Sequence, residues 1–141
     1  MQIEESFEMA VDAAALWPWI SSPDRIAKWI TDAKRFEAEP AGELEEGSRL
    51  IVYPPQGAPM EARVEKSERG RILVLRARGL PNNLEVLLTL SVRDQERGSV
   101  LTLRAESELT GILIFAEKMI ASKARAKLKS WAENLRKAIG P

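Results

Sequence analysis

The sequence predicts an α+β fold: a curved antiparallel sheet of seven strands wrapped around one long C-terminal helix. Three observations lead there. Residues 2–10 alternate apolar and polar and are followed at once by two short helical segments. Residues 34–109 carry strand-like stretches separated by tight turn signals, among them Pro54-Pro55-Gln56-Gly57 and Glu68-Arg69-Gly70. Turns that short favour antiparallel neighbours, because a parallel pair needs a crossover of about a dozen residues. Finally, residues 112–139 contain neither Gly nor Pro and read as a single helix.

The elements follow in order. In the first strand Ile3, Phe7 and Met9 share a face, opposite Gln2, Glu4, Ser6 and Glu8; Glu5 interrupts the apolar row. Asp12 is placed to cap a helix that carries Leu16, Trp17 and Ile20. Pro18 lies inside that helix, which should therefore be short or kinked. Ser22-Pro23-Asp24 starts a second helix, with Ser22 as its cap and Pro23 at the first helical position. Strands are expected at 35–38, 48–53, 60–66 and 72–78, with a break at Gly79–Asn83. Leu84, Val86, Leu88, Leu90 and Val92 then form one apolar face, and Leu101, Leu103, Ala105 and Ser107 another. The last helix has its stripe at Leu113, Ala116, Ile120, Ala124, Leu128, Trp131, Leu135 and Ala138, a spacing of threes and fours.

Composition narrows the chemistry. The 141 residues suffice for one domain, 1–141, with its own core. There is no cysteine and no histidine. Disulfides, thiolate or imidazole metal sites, cysteine nucleophiles and Ser-His-Asp triads are therefore excluded, and neither a cofactor nor a metal is expected. Lys and Arg together equal Asp and Glu at 21 each, so no overall basic charge points to nucleic acid. No apolar run reaches the roughly 18 residues of a membrane span, and the start lacks the pattern of a signal peptide. The expected location is the cytoplasm.

A pocket follows from geometry. Seven strands twist and curl, which gives the sheet a concave face. A straight helix cannot fill a curved trough along its whole length. The two short helices would support one end, so space is expected at the other, near residues 112–120. There Ile112, Leu113, Ile114, Phe115, Met119 and Ile120 make the last helix apolar almost all round. That surplus must line a cavity, meet a partner or touch lipid.

With these elements in place, the layout resembles the helix-grip fold of the SRPBCC superfamily, which includes START lipid-transfer domains, polyketide cyclases and birch-pollen-allergen-like proteins. The string FEMAVDAAALWPWISSPDRIAKW is similar to that superfamily's first strand and helix pair, and Gly47 and Gly111 match its pattern before the third strand and the last helix. The closing TLRAESELTGILIFAEKMI resembles the branch of the superfamily associated with carbon monoxide dehydrogenase. The resemblance implies a hydrophobic small-molecule ligand. Its motifs are structural and specify fold better than chemistry.

The expected pocket walls are Phe7, Val86, Leu88, Leu90, Leu103, Ile112, Phe115 and Met119. Glu5 and Tyr53 are the candidate polar groups. Glu5 faces the pocket if the strand begins early and is solvated if it begins late; Tyr53 shares a row with Arg49 and Ile51 whose face is ambiguous. Arg76 and Arg78 either anchor an anionic group or belong to the outer, wet face. Trp17, Trp29 and Trp131 are expected in the core and Trp19 partly exposed. The cations of residues 117–137 form a basic strip that is either a solvated face or a contact for anionic lipid or an acidic partner. Three functions fit: a carrier or sensor of a lipid-like or polyketide-like molecule; a cyclase, aromatase or dehydratase, for which no convergent acid–base set is visible; or an interaction and assembly module docking through Ile112–Phe115. The first is the expected one, and a homodimer is compatible with each.

Overall fold

The computed structural model describes residues 1–80 and 83–140. Strand β1 (Gln2–Met9) leads into α1 (Ala13–Ser21) and the single turn α2 (Pro23–Ile26). Six strands follow: β2 (Arg35–Glu39), β3 (Arg49–Tyr53), β4 (Met60–Glu68), β5 (Ile72–Arg78), β6 (Val86–Asp94) and β7 (Ser99–Glu106). A 3₁₀ segment, Gly111–Ala116, then opens into α3 (Glu117–Ile139). The expected break at 79–83 includes Pro81 and Asn82, which lie outside the described residues.

The seven strands form one sheet in the order β1-β7-β6-β5-β4-β3-β2. Each neighbouring pair is antiparallel. β1 and β2 are the open edges, so the sheet curls without closing. A bulge in β4 adds to the curl: the register with β5 shifts between Val64 and Lys66, which bends the strand and increases its twist. The concave face carries Ile3, Met9, Leu50, Ala62, Val64, Leu73, Leu75, Leu90, Val92, Leu101 and Leu103, all buried. Leu16 and Ile20 of α1, Trp29, and Leu128, Ala132 and Leu135 of α3 pack against that face.

Local chemistry sets the helix starts. The Asp12 carboxylate accepts from the Ala15 amide at 2.8 Å, which satisfies one donor left open at the helix start. α1 runs through Pro18, because the bond Pro18 cannot make would go to the carbonyl of exposed Ala14, where water serves. Pro23 occupies the first position of α2, but the Ser22 side chain makes no capping bond.

The expectation of one helix over 112–139 is corrected. Residues 111–116 form a 3₁₀ segment, tied by Leu113 N–H to Thr110 carbonyl at 3.3 Å. Thr110 supplies no side-chain cap, and Ala116 supplies none for α3. β-branched Ile112 and Ile114 further disfavour an α-helical start. Each residue of the expected stripe is buried or half-buried, yet only Leu128 and Leu135 are fully so; Ala132, outside the expected stripe, is the third buried residue of α3. α3 runs mainly against β1 and leaves the middle of the concave face to other elements.

The β6–β7 hairpin is fastened to the start of α1. Asp94 accepts from the Ala13 amide at 2.7 Å, and Ser99, fully buried, donates to the Val11 carbonyl at 2.7 Å. Gly98 lies between them at φ +79°, and a Cβ there would sit 2.1 Å from the Met9 carbonyl oxygen. Backbone on backbone leaves no room for relief. Gly98→Ala should therefore cost about 2 kcal/mol or more, from left-handed strain plus displacement of the hairpin. Chemical denaturation should show a lower midpoint; an unchanged midpoint would refute this account of the hairpin.

Candidate functional site

The concave face is not packed solid. A partly open, almost wholly apolar cavity of about 350 Å³ lies between the sheet and the helical layer. Its floor is built from Ile20, Ile26, Trp29, Phe36, Leu50, Ala62, Leu75 and Leu90, all buried. Half-buried Ile30, Ala33, Val52, Pro54, Met60, Ala77, Leu80, Leu88 and Trp131 form its rim. The inner rows of β3 to β6 therefore supply one wall, the α1–α2 segment the opposite one, and α3 contributes a single residue, Trp131.

That residue is held in place. The Trp131 indole N–H donates to one oxygen of Asp32 at 2.8 Å, and the Lys127 ammonium binds the other oxygen. Asp32 lies between α2 and β2, so its carboxylate clasps α3 to the opposite side of the cavity. Partial burial alone would raise the Asp32 pKa. The hydrogen bonds from Lys127 and Trp131 and the charge of Lys127 outweigh this and hold it below its ordinary value. The floor is fixed too: Trp29 donates through its indole to the Trp19 carbonyl at 2.8 Å, and the Trp29 carbonyl accepts from Asn134 at 3.1 Å. Asp32 is the one titratable side chain among the described lining residues. Among the described residues no cluster of carboxylates is placed to hold a metal ion.

A larger groove of about 970 Å³ runs outside, between α1 and residues 41–43. It is more open to solvent, and its Glu43 is already engaged. Glu43 accepts from Arg69 at 2.6 Å and from the Trp17 indole at 3.1 Å. Burial pushes the Glu43 pKa up, and the hydrogen bonds it accepts bring it net downward. A wider, more open and more polar groove holds a small apolar molecule less well than a more enclosed, almost wholly apolar cavity. The cavity is thus the candidate site.

The structure sorts the residues singled out from sequence. Leu88 and Leu90 line the cavity. Val86 faces inward on the same row, half-buried beyond its edge. Leu103 is fully buried in the core beside it. Phe7 is half-buried on β1, with the Arg136 guanidinium 6.0 Å from its ring centre. Glu5 does lie on the inner face of β1, but at the sheet edge, paired with Arg125 at 3.9 Å. Tyr53 sits directly across from Arg35 on the outer face and donates to Glu37 at 3.0 Å. Arg76 and Arg78 are outer as well, sharing Glu85 at 3.1 Å each. Ile112, Phe115 and Met119 do not reach the cavity; they are 82%, 90% and 57% exposed. The space expected beneath residues 112–120 is instead found under β3 to β6, because α3 lies over β1 rather than across the trough.

Sequence reasoning missed the floor from Ile20 to Leu75 and the Asp32 clasp. The inward rows of β4 and β5 were readable as alternation. Nothing in the alternation signals that Asp32, in a loop, meets a residue 99 positions away.

A curved antiparallel sheet gripping a terminal helix, with a cavity left on its concave face, defines the helix-grip class of α+β domains, of the SRPBCC type. Within that class the chain belongs to the family described as polyketide cyclase / dehydrase and lipid transport, whose model matches residues 1–140. None of the curated proteins matches the chain in sequence. Solved structures are similar in fold. Protein MLL2253 from Mesorhizobium loti superposes with a TM-score of 0.79 at 12% identity, over 99% of this chain and 96% of that one. DynU16, from the dynemicin biosynthetic locus, gives 0.77 at 13% identity over 98% of this chain but only 46% of that protein. The Aha1 dimer from Colwellia psychrerythraea gives 0.68 at 14% identity over 99% of both chains. At such identities the likeness is of fold alone. Among the described residues no helix is long and apolar enough to cross a membrane.

The clasp yields a pH prediction. A depressed folded-state pKa means that the Asp32 contribution is present above the unfolded value of about 4 and is lost as pH falls through the folded value. Asp32→Ala should cost about 1 kcal/mol, the pair being partly exposed, and should raise hydrogen exchange at the Trp131 indole at neutral pH. The unsubstituted protein should show that loosening only below about pH 4. An indole exchange rate that ignores both the substitution and acid would sink the clasp.

Proposed function

We propose that this chain binds a small apolar molecule in the cavity bounded by Trp29, Leu75, Leu90 and Trp131, acting as a carrier or sensor of a lipid-like or polyketide-like ligand. The observation that carries this reading is the cavity itself: about 350 Å³, apolar on almost every side, with its floor buried. An apolar cavity that size forfeits the dispersion contacts a packed core would make. A ligand restores them and removes its own apolar surface from water, at about 25 cal/mol per Å². Mostly apolar walls with one polar group at the rim are what a site for such a molecule requires. The family description, cyclase / dehydrase and lipid transport, fits a ligand of that chemistry.

A cyclase or dehydratase would need an acid or base aimed at the ligand. Asp32 is the one titratable group on the described lining, and it is occupied by Lys127 and Trp131. Binding is therefore the favoured reading over turnover. Asp32→Asn separates the two: it should leave ligand capture intact, whereas loss of a detected reaction with capture retained would favour the enzyme.

The test is direct. Native mass spectrometry of the purified protein, and titration with a fluorescent fatty acid, should reveal a bound apolar species. Ala77 faces the cavity from the rim and is half-buried. Ala77→Phe should fill the space and weaken binding at least about tenfold, the scale of a lost buried side chain, while leaving the fold intact by circular dichroism. If no apolar class binds, or if Ala77→Phe binds as before, the cavity is not the site.

A further inference from the structure

The largest solvent-exposed apolar residues do not belong to the cavity. Ile112, Ile114, Phe115 and Met119 are 82%, 56%, 90% and 57% exposed, and they adjoin one another where the 3₁₀ segment enters α3. Large side chains left bare together in this way ordinarily mark a surface meant to be covered. Charge says by what. Residues 111–130 carry Lys118, Lys123, Arg125, Lys127 and Lys129 against the single carboxylate Glu117, on a chain that is neutral overall. Lys118, Lys123 and Lys129 form no ion pair among the described residues, whereas Glu117 lies 3.8 Å from the N-terminal ammonium. Glu106 and Glu108 precede the segment; Glu106 is paired with Arg104 at 3.0 Å and Glu108 is exposed.

A second copy of the chain suits this surface poorly. A twofold contact through Phe115 and Met119 would bring together two copies of a segment with five cations and one carboxylate, and like charge gathered at an interface costs affinity. An apolar tip followed along α3 by cations instead complements a bilayer whose headgroups are anionic: the apolar residues enter the acyl boundary while lysines meet phosphates. The position agrees. β1 begins and β7 ends at the same end of the sheet where β3 ends, β4 begins and β6 begins, as the pairings Gln2–Glu106, Val52–Met60 and Ala77–Val86 require. The 3₁₀ segment therefore leaves the sheet at the end that carries the cavity-rim residues Pro54, Met60 and Leu80.

We infer that Ile112, Ile114, Phe115 and Met119, with Lys118 and Lys123, form a docking surface for an anionic lipid bilayer. The surface stands apart from the cavity, so its fate does not depend on what the cavity binds. The full chain should co-sediment with vesicles of equal parts phosphatidylcholine and phosphatidylglycerol and much less with phosphatidylcholine alone. Bound protein should be released as salt approaches 1 M, where the screening length falls to about 3 Å. Phe115→Glu should weaken binding at least about tenfold, and Lys118→Gln and Lys123→Gln about fivefold each. These side chains are exposed, so circular dichroism and fatty-acid binding should be unchanged in each variant. Failure to bind the mixed vesicles, equal binding to neutral ones, or binding that survives Phe115→Glu each overturns the inference. So does a dimer, seen by sedimentation velocity, that Phe115→Glu dissolves without any vesicle binding by the parent chain.

Discussion

The packing of α3 against β1 governs the rest of this molecule. Leu128, Ala132 and Leu135 bury completely and seat the C-terminal half of the helix, while the sheet, bent by the β4 bulge, curves away beneath it. A helix about 10 Å across, held over one edge strand, cannot also cover the strands at the far side of the trough. The α1–α2 segment covers part of what remains, with Leu16 and Ile20 buried in the same core as Leu101. The hollow under β3 to β6 is what neither layer reaches.

Keeping that hollow open and walled demands polar fastening at its margins. Asp32 draws Lys127 and Trp131 toward the α2–β2 loop, and Asn134 holds the carbonyl of Trp29. Both ties connect α3 to the short helical segment, across the cavity rather than within it. They satisfy polar groups at the rim, so the interior stays apolar without leaving these donors and acceptors unpaired. A similar arrangement holds the opposite end of the sheet, where Asp94 and Ser99 lock the β6–β7 hairpin to the start of α1.

Two surfaces with different chemistry result. The inner one is apolar and partly enclosed. The outer one, where the chain enters α3, combines bare apolar side chains with lysines, suited to a charged interface. Both lie toward the same end of the sheet, on separate surfaces.

The sequence by itself determined the α+β class, the order of elements, the inward rows of the strands, the Asp12 cap and the stripe of α3. Each of these is written in local periodicity or in the chemistry of neighbouring residues, which act over a few positions. Leu88 and Leu90 were legible as cavity residues for that reason. Glu5 was legible as an inward-facing carboxylate but not as one paired with Arg125, 120 positions on. Tertiary structure alone decided where α3 lies across the sheet, and with it the cavity's position, the Asp32 clasp and the exposure of Ile112, Phe115 and Met119. A row of apolar side chains states that a face is to be covered. What covers it is settled by sheet curvature and the line of a helix axis, which depend on contacts between residues far apart in the chain.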